Sequence, residues 1–135
     1  MFPSDTKVLV VDDFKTMRKI VINALKNCGL ENVEEADDGA TAWPMFEEAA
    51  ASDKPFSLVI SDWNMPKMQG IDFLKNVRAH PAGKATPFVL VTAEAEQSNI
   101  VQAVQAGVSN YIVKPFSPAD LKTKLEQVYA KVSKG

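Results

Sequence analysis

Residues 7–13 read Lys-Val-Leu-Val-Val-Asp-Asp. Four apolar residues in a row leave no polar face, which is the pattern of a strand buried on both sides in a parallel sheet. Two aspartates follow at once, and then the period changes. Phe14, Met17, Val21, Ala24, Leu25 and Cys28 recur at three- and four-residue steps, the core stripe of an amphipathic helix that Gly29 stops. A buried strand thus feeds a helix through a pair of carboxylates.

The same unit repeats along the chain. Residues 32–36 (NVEEA) predict a second strand, half exposed and near an edge, and Asp37-Asp38-Gly39 supplies turn chemistry. Residues 40–51 predict a helix in which Pro44 calls for a late start or a kink, because an interior proline removes a hydrogen bond. Residues 57–61 (SLVIS) predict a third strand ending at Asp62, and Met65-Pro66 and Gln69-Gly70 mark the loop after it. Residues 71–79 then predict a helix with Leu74 and Val77 inward, ended by His80-Pro81-Ala82-Gly83. Residues 88–92 (FVLVT) predict the fourth strand, with Pro87 at its allowed first position. A helix over 95–106 stops at Gly107, and residues 110–113 (NYIV) predict the fifth strand before Lys114-Pro115. Leu121, Leu125, Val128 and Val132 stripe the last helix. Five β-α units in this order imply an α/β fold, a doubly wound parallel sheet with helices on both faces.

Composition bounds the function. A chain of 135 residues buries roughly two-thirds of its unfolded surface, leaving about 7,000 Å² exposed. We expect one domain over residues 1–135, with a core over about 6–133 and no effector domain. The 15 basic and 17 acidic residues give a net charge of −2, without the basic footprint that nucleic acid requires. No apolar run approaches the ~18 residues of a membrane span, and the start MFPSDTK carries no signal-peptide core. One cysteine, Cys28, and one histidine, His80, exclude an internal disulfide and limit metal chemistry based on nitrogen or sulfur. The expectation is a cytoplasmic, monomeric protein whose chemistry falls on carboxylates, hydroxyls and lysines.

Doubly wound sheets bind ligands beyond the carboxyl ends of their strands. Those ends carry Asp12 and Asp13, Asp62, Thr92 and Lys114. Two unit charges ~4 Å apart repel by about 4 kcal/mol at an effective dielectric near 20, so crowded carboxylates call for a hard divalent cation. Mg²⁺ takes one or two carboxylates, keeps its waters and favours phosphate oxygens. Carboxylates, a cation, a lysine and a hydroxyl describe a phosphoryl-transfer site with a carboxylate nucleophile. A flavin-binding alternative fails because Asp12-Asp13 would repel a phosphate after the first strand. A metal-dependent phosphatase working through an aspartyl phosphate is the more distant alternative, and it would need a substrate cap that this chain lacks.

The series VLVVDDF, TMRKIV, VEEADDG, VISDWNMPKMQG, VTAEAE and QAGVSNYIVKPF resembles the receiver domains of two-component response regulators over essentially the whole chain. Within that family it is most similar to the stand-alone chemotaxis regulators. The resemblance implies a flavodoxin-like sheet of order 2-1-3-4-5 with five helices. It also implies that Asp62 is the phosphoacceptor, that Mg²⁺ is held by Asp12, Asp13, Asp62 and the Asn64 carbonyl, and that Thr92 and Lys114 bind phosphoryl oxygens. A cis Lys114-Pro115 peptide is part of the pattern. Similar proteins are not classical enzymes: they catalyse only their own phosphorylation, from a histidine kinase, and their own dephosphorylation. Phosphorylation there draws the hydroxyl at Thr92 inward and lets the aromatic at Tyr111 turn. The partner surface this implies includes Glu94, Ala95, Gln97, Ile100, Val113 and Lys124, and it points to the flagellar motor switch, with a phosphatase as a further partner. A phosphorelay intermediate or adaptor is the alternative within the family.

Other residues carry plainer expectations. Trp63 is expected partly exposed beside the metal, Trp43 to pack on the second helix, and Phe14 and Met17 to rim the pocket or pack in the core. His80 is expected to be solvated, as are Lys15, Arg18 and Lys19, unless this basic cluster docks a kinase. Gln69, where the family commonly has an acidic residue or asparagine, is expected to alter the loop turn.

Overall fold

The computed structural model describes residues 2–93, 97–114 and 116–134, without the side chains of 97–99 and 132–134. Strands β1 (Val8–Val11), β2 (Val33–Ala36), β3 (Leu58–Asp62), β4 (Phe88–Thr92) and β5 (Asn110–Val113) alternate with helices α1 (Lys15–Asn27), α2 (Gly39–Ala51), α3 (Gly70–Ala79), α4 (Gln97–Gln105) and α5 (Pro118–Lys134). A single 3₁₀ turn, Pro81–Gly83, follows α3. The strands pair in parallel in the order β2-β1-β3-β4-β5. The exposed surface, 6960 Å², agrees with the size-based expectation. No helix among the described residues is long and apolar enough to cross a membrane.

Strand periodicity divides the core in two. Leu9, Val11, Val59, Phe88 and Leu90 face one side and pack with Ala42 and Phe46 of α2, Phe73, Leu74 and Val77 of α3, and Ala103 of α4. Val8, Val10, Leu58, Ile60, Val89, Val91 and Ile112 face the other and pack with Val21, Ala24 and Leu25 of α1 and Leu121, Leu125 and Val128 of α5. The apolar runs in β1, β3 and β4 are therefore explained by burial on both faces. The edge strand β2 keeps Glu34 and Glu35 exposed, as its sequence predicts.

Several expectations are corrected. Helix α2 does not start late. The Asp38 carboxylate accepts the Thr41 N–H at 2.9 Å and fixes the start at Gly39, leaving Pro44 inside the helix. Pro44 and Ala40, whose carbonyl it cannot serve, are both exposed, so water can replace the lost bond. Phe14 is the residue before α1, 67% exposed, and takes no part in the core. His80 is half-buried rather than solvated: its ring meets Trp43 at 6.0 Å and Phe46 at 5.8 Å, and its Nδ1 accepts the Ala82 N–H. Trp43 does pack on α2, stacked on Phe46.

The loop from β3 to α3 is tied back onto the end of the strand. The Gly70 N–H donates to the Trp63 carbonyl at 2.9 Å. A Cβ on Gly70 would overlap the Asp62 carbonyl oxygen, so only glycine permits this approach. Before it, Lys67 adopts φ 64° in a tight turn closed by the Met68 N–H on the Pro66 carbonyl. Across the domain, the half-buried Arg78 guanidinium joins α3 to the Gly83, Thr86 and Gly107 carbonyls at 2.7–2.8 Å. Replacing Gly70 by alanine forces the end of β3 and the start of α3 apart. Gly70→Ala should lose about 2–3 kcal/mol in urea unfolding, the range of an overpacked core, whereas Gln69→Ala, at an exposed position, should stay within about 0.5 kcal/mol of wild type.

Candidate functional site

Two strand ends bring the acidic residues together. Asp12 follows β1 directly, Asp62 is the last residue of β3, and β1 and β3 are hydrogen-bonded neighbours. Asp12, Asp13 and Asp62 each offer a carboxylate oxygen, all within 4.8 Å of one another. Asp12 and Asp62 are buried and Asp13 is exposed. From the end of β5, Lys114 reaches into the cluster. Its Nζ lies 3.1 Å from Asp62 Oδ1 and 3.6 Å from Asp12 Oδ2, with its own side chain only 18% exposed. The backbone between β4 and β5 sets this reach, because the Lys114 N–H donates to the Thr92 carbonyl at 2.7 Å.

Each buried carboxylate also has a local donor. Asp62 Oδ1 accepts the Trp63 N–H and Asp12 Oδ1 the Phe14 N–H, both at 2.9 Å. These bonds orient the acids but do not offset burial. Asp12 is pushed up to about 6, chiefly by loss of hydration; the Phe14 N–H pulls it down, Asp62 pushes it up, and Lys114 again pulls it down. Asp62 is also raised by burial, with Lys114 opposing. One lysine therefore only partly balances the acids. All-oxygen donors at this spacing, still short of positive charge, fit a hard divalent cation.

Thr92 is buried at the end of β4. With Trp63, Leu90, Ile100, Ala103 and Tyr111 it lines a small apolar cavity between the sheet and α4. Trp63 is 7% exposed, which corrects the expectation of a partly exposed metal neighbour. It joins the core on the α2–α3 side, together with Met65 and Phe73. Tyr111 is half-buried, and Lys124 Nζ sits 5.1 Å from its ring centre. Val113 and Lys124 line a separate cleft of about 370 Å³ with Phe116 and Asp120. Asn64 is exposed two residues beyond Asp62. Glu94, Ala95 and Pro115 lie outside the described residues, so the expectations placed on them, the cis peptide included, lie outside too; Gln97 opens α4, and its side chain is likewise not described.

Sequence reasoning missed two contributors. Gly70 carries a visible turn signal, but its close approach to the end of β3 is a packing fact that the signal does not contain. Arg18 shares a basic helix face with the exposed Lys15 and Lys19, yet it donates to the Asp12 carbonyl at 2.6 Å and pairs with Glu35 at 3.1 Å. Nothing in its local spacing marks it apart.

The raised Asp12 makes a pH prediction. Its folded value of about 6 lies above the ordinary 3.8, so the native state holds the proton more tightly than the unfolded chain. The resulting stabilisation is full below pH 4 and is lost as pH rises to 6. Without divalent cation, wild type should lose about 2–3 kcal/mol relative to Asp12→Asn between pH 4 and pH 7, read by urea unfolding. Millimolar Mg²⁺ at pH 7 should recover part of that loss in wild type alone.

The chain matches the response regulator receiver domain over residues 8–126. It is 51% identical over 126 residues to the chemotaxis protein CheY-3 of Vibrio cholerae serotype O1, covering 93% of each chain. It is 47% identical over 127 residues to the chemotaxis protein CheY of Pseudomonas aeruginosa, covering 94% of this chain and 98% of that one. Among solved structures it resembles the chemotaxis response regulator CheY4 of Vibrio cholerae, with a TM-score of 0.82 at 36% identity, covering 92% of this chain and 98% of that chain. With the sheet order and the acidic strand ends already in place, these matches establish that the chain belongs to the response regulator receiver family, whose members are signalling domains.

Proposed function

We propose that this chain is a stand-alone chemotaxis response regulator that accepts a phosphoryl group on Asp62 from a histidine kinase. The observation that carries the reading is the convergence of Asp12, Asp13, Asp62 and Lys114 at adjoining strand ends. Asp12, Asp13 and Asp62, with the Asn64 carbonyl, would hold Mg²⁺. The ion supplies charge neutralisation and oriented phosphate oxygens when bound.

Asp62 supplies the nucleophilic carboxylate oxygen. It forms the new oxygen–phosphorus bond while the phosphorus–nitrogen bond of the kinase phosphohistidine breaks, and the imidazole nitrogen keeps the electron pair and takes up a proton. Lys114 already lies 3.1 Å from Asp62, so it meets the incoming phosphoryl oxygens without travelling. Its charge also favours the ionised form of Asp62, opposing the upward push of burial. Thr92 donates its hydroxyl to a phosphoryl oxygen. That movement alters the cavity shared by Thr92, Trp63, Ile100 and Tyr111, and Tyr111 turns within it. The α4-β5-α5 surface then changes its affinity for a target. The chemotaxis names of the relatives support a target in chemotaxis; a flagellar motor switch protein, met in the cytoplasm, is the target that the family resemblance implies.

Two experiments test the reading. Intact-mass analysis with acetyl phosphate and Mg²⁺ should show one added phosphoryl group on wild type and none on Asp62→Asn; equal uptake would remove Asp62 from the role. In a Trp43→Phe background, Trp63 fluorescence should change on phosphorylation because Trp63 lines the cavity behind Thr92. Lys114→Ala should bind Mg²⁺ but lose that phosphorylation-dependent change, and a wild-type response from it would refute the coupling role.

A further inference from the structure

The Asp12–Asp13 corner is held by groups outside the candidate ligand set. The Asp12 N–H donates to the Ala36 carbonyl of β2 at 3.1 Å. The Asp12 carbonyl accepts Arg18 Nη1 at 2.6 Å, and Arg18 Nε is paired with Glu35 Oε1 at 3.1 Å. The Arg18 side chain is only 16% exposed, although it lies on a helix face with the exposed Lys15 and Lys19. One arm of the guanidinium fork thus holds β1 backbone and the other a β2 carboxylate, a geometry that the single ammonium of lysine cannot copy.

The carbonyl that Arg18 holds belongs to the peptide joining Asp12 to Asp13. That unit is planar, so fixing its oxygen constrains the plane and with it the Cα of Asp13. Asp12 and Asp62 are fixed by burial, but Asp13 is exposed and must still bring its carboxylate to the cluster. Glu35 braces the guanidinium and neutralises it, so the fork adds no unpaired positive charge beside a cation site.

We infer that Arg18, braced by Glu35, is a positioning residue for the divalent cation, setting Asp13 in place without touching the ion. This rests on the reading of the acidic cluster as a Mg²⁺ centre.

Titration calorimetry with Mg²⁺ on the full chain at neutral pH, alongside melting temperatures, tests it. Arg18→Met should weaken Mg²⁺ binding about tenfold, the lower end of the effect of outer-shell partners on metal affinity. Arg18→Lys should fall between it and wild type. Glu35→Ala, on the exposed edge strand, should weaken binding by less than Arg18→Met does, since it removes only the brace, and it decides the matter if Arg18→Met does not fold. Arg78→Met, which removes an equally well-bonded arginine far from the acids, should lower the melting temperature and leave Mg²⁺ affinity unchanged. Wild-type affinity in both Arg18→Met and Glu35→Ala, with Asp13→Asn weakened, would overturn the inference and leave the Mg²⁺ reading standing. An equal loss in Arg78→Met would overturn it as general loosening. A wild-type chain that takes up no Mg²⁺ would overturn the reading of the site and the inference with it.

Discussion

Carboxylates that repel one another at the rim of a buried sheet are the constraint from which the rest follows. Asp12 and Asp62 have lost most of their water and lie in one cluster with Asp13. Ordinary packing would not tolerate this, since among the described residues the acids are seen to gain a backbone N–H each and one shared lysine. The unspent electrostatic free energy appears as the upward push on both buried acids. The same shortfall of positive charge suits the cluster to a cation, and it leaves the Asp62 carboxylate poorly hydrated.

The sheet makes that arrangement possible by being rigid where the acids are and divided elsewhere. Two separate side-chain layers clamp β1, β3 and β4 from opposite faces. Strand ends therefore hold their registers, and Asp12, Asp62 and Thr92 emerge at one rim. The cavity behind Thr92 lies between the sheet and α4 and reaches from the rim to Tyr111 along apolar side chains.

Much of this was legible in the sequence because it depends on local pattern. Apolar runs of four or five residues set the strands, helical stripes set the partner layers, and strand ends set the candidate acids. The strand order came with the family resemblance, and the paired registers agree with it. What the sequence hid depends on side chains meeting across the fold. Trp63 is buried because it meets side chains of β4, α4 and β5 at the cavity behind Thr92, Phe14 is exposed because α1 begins one residue beyond it, and His80 is held against α2 by two aromatic rings. Pro44 misled because the cap at Asp38 outweighs one missing interior bond. Arg18 has the same local setting as Lys19, and only the distance to the Asp12 carbonyl separates them.

The return of Gly70 onto Trp63 and Asp62 has a final consequence. The segment between Asp62 and α3 is a ring closed by a backbone hydrogen bond rather than a tether. Side chains along its outer edge can be exchanged, but inserting or deleting a residue would reopen the ring and move Asp62 itself. Its length is thus as strictly determined as the identity of the aspartate that precedes it.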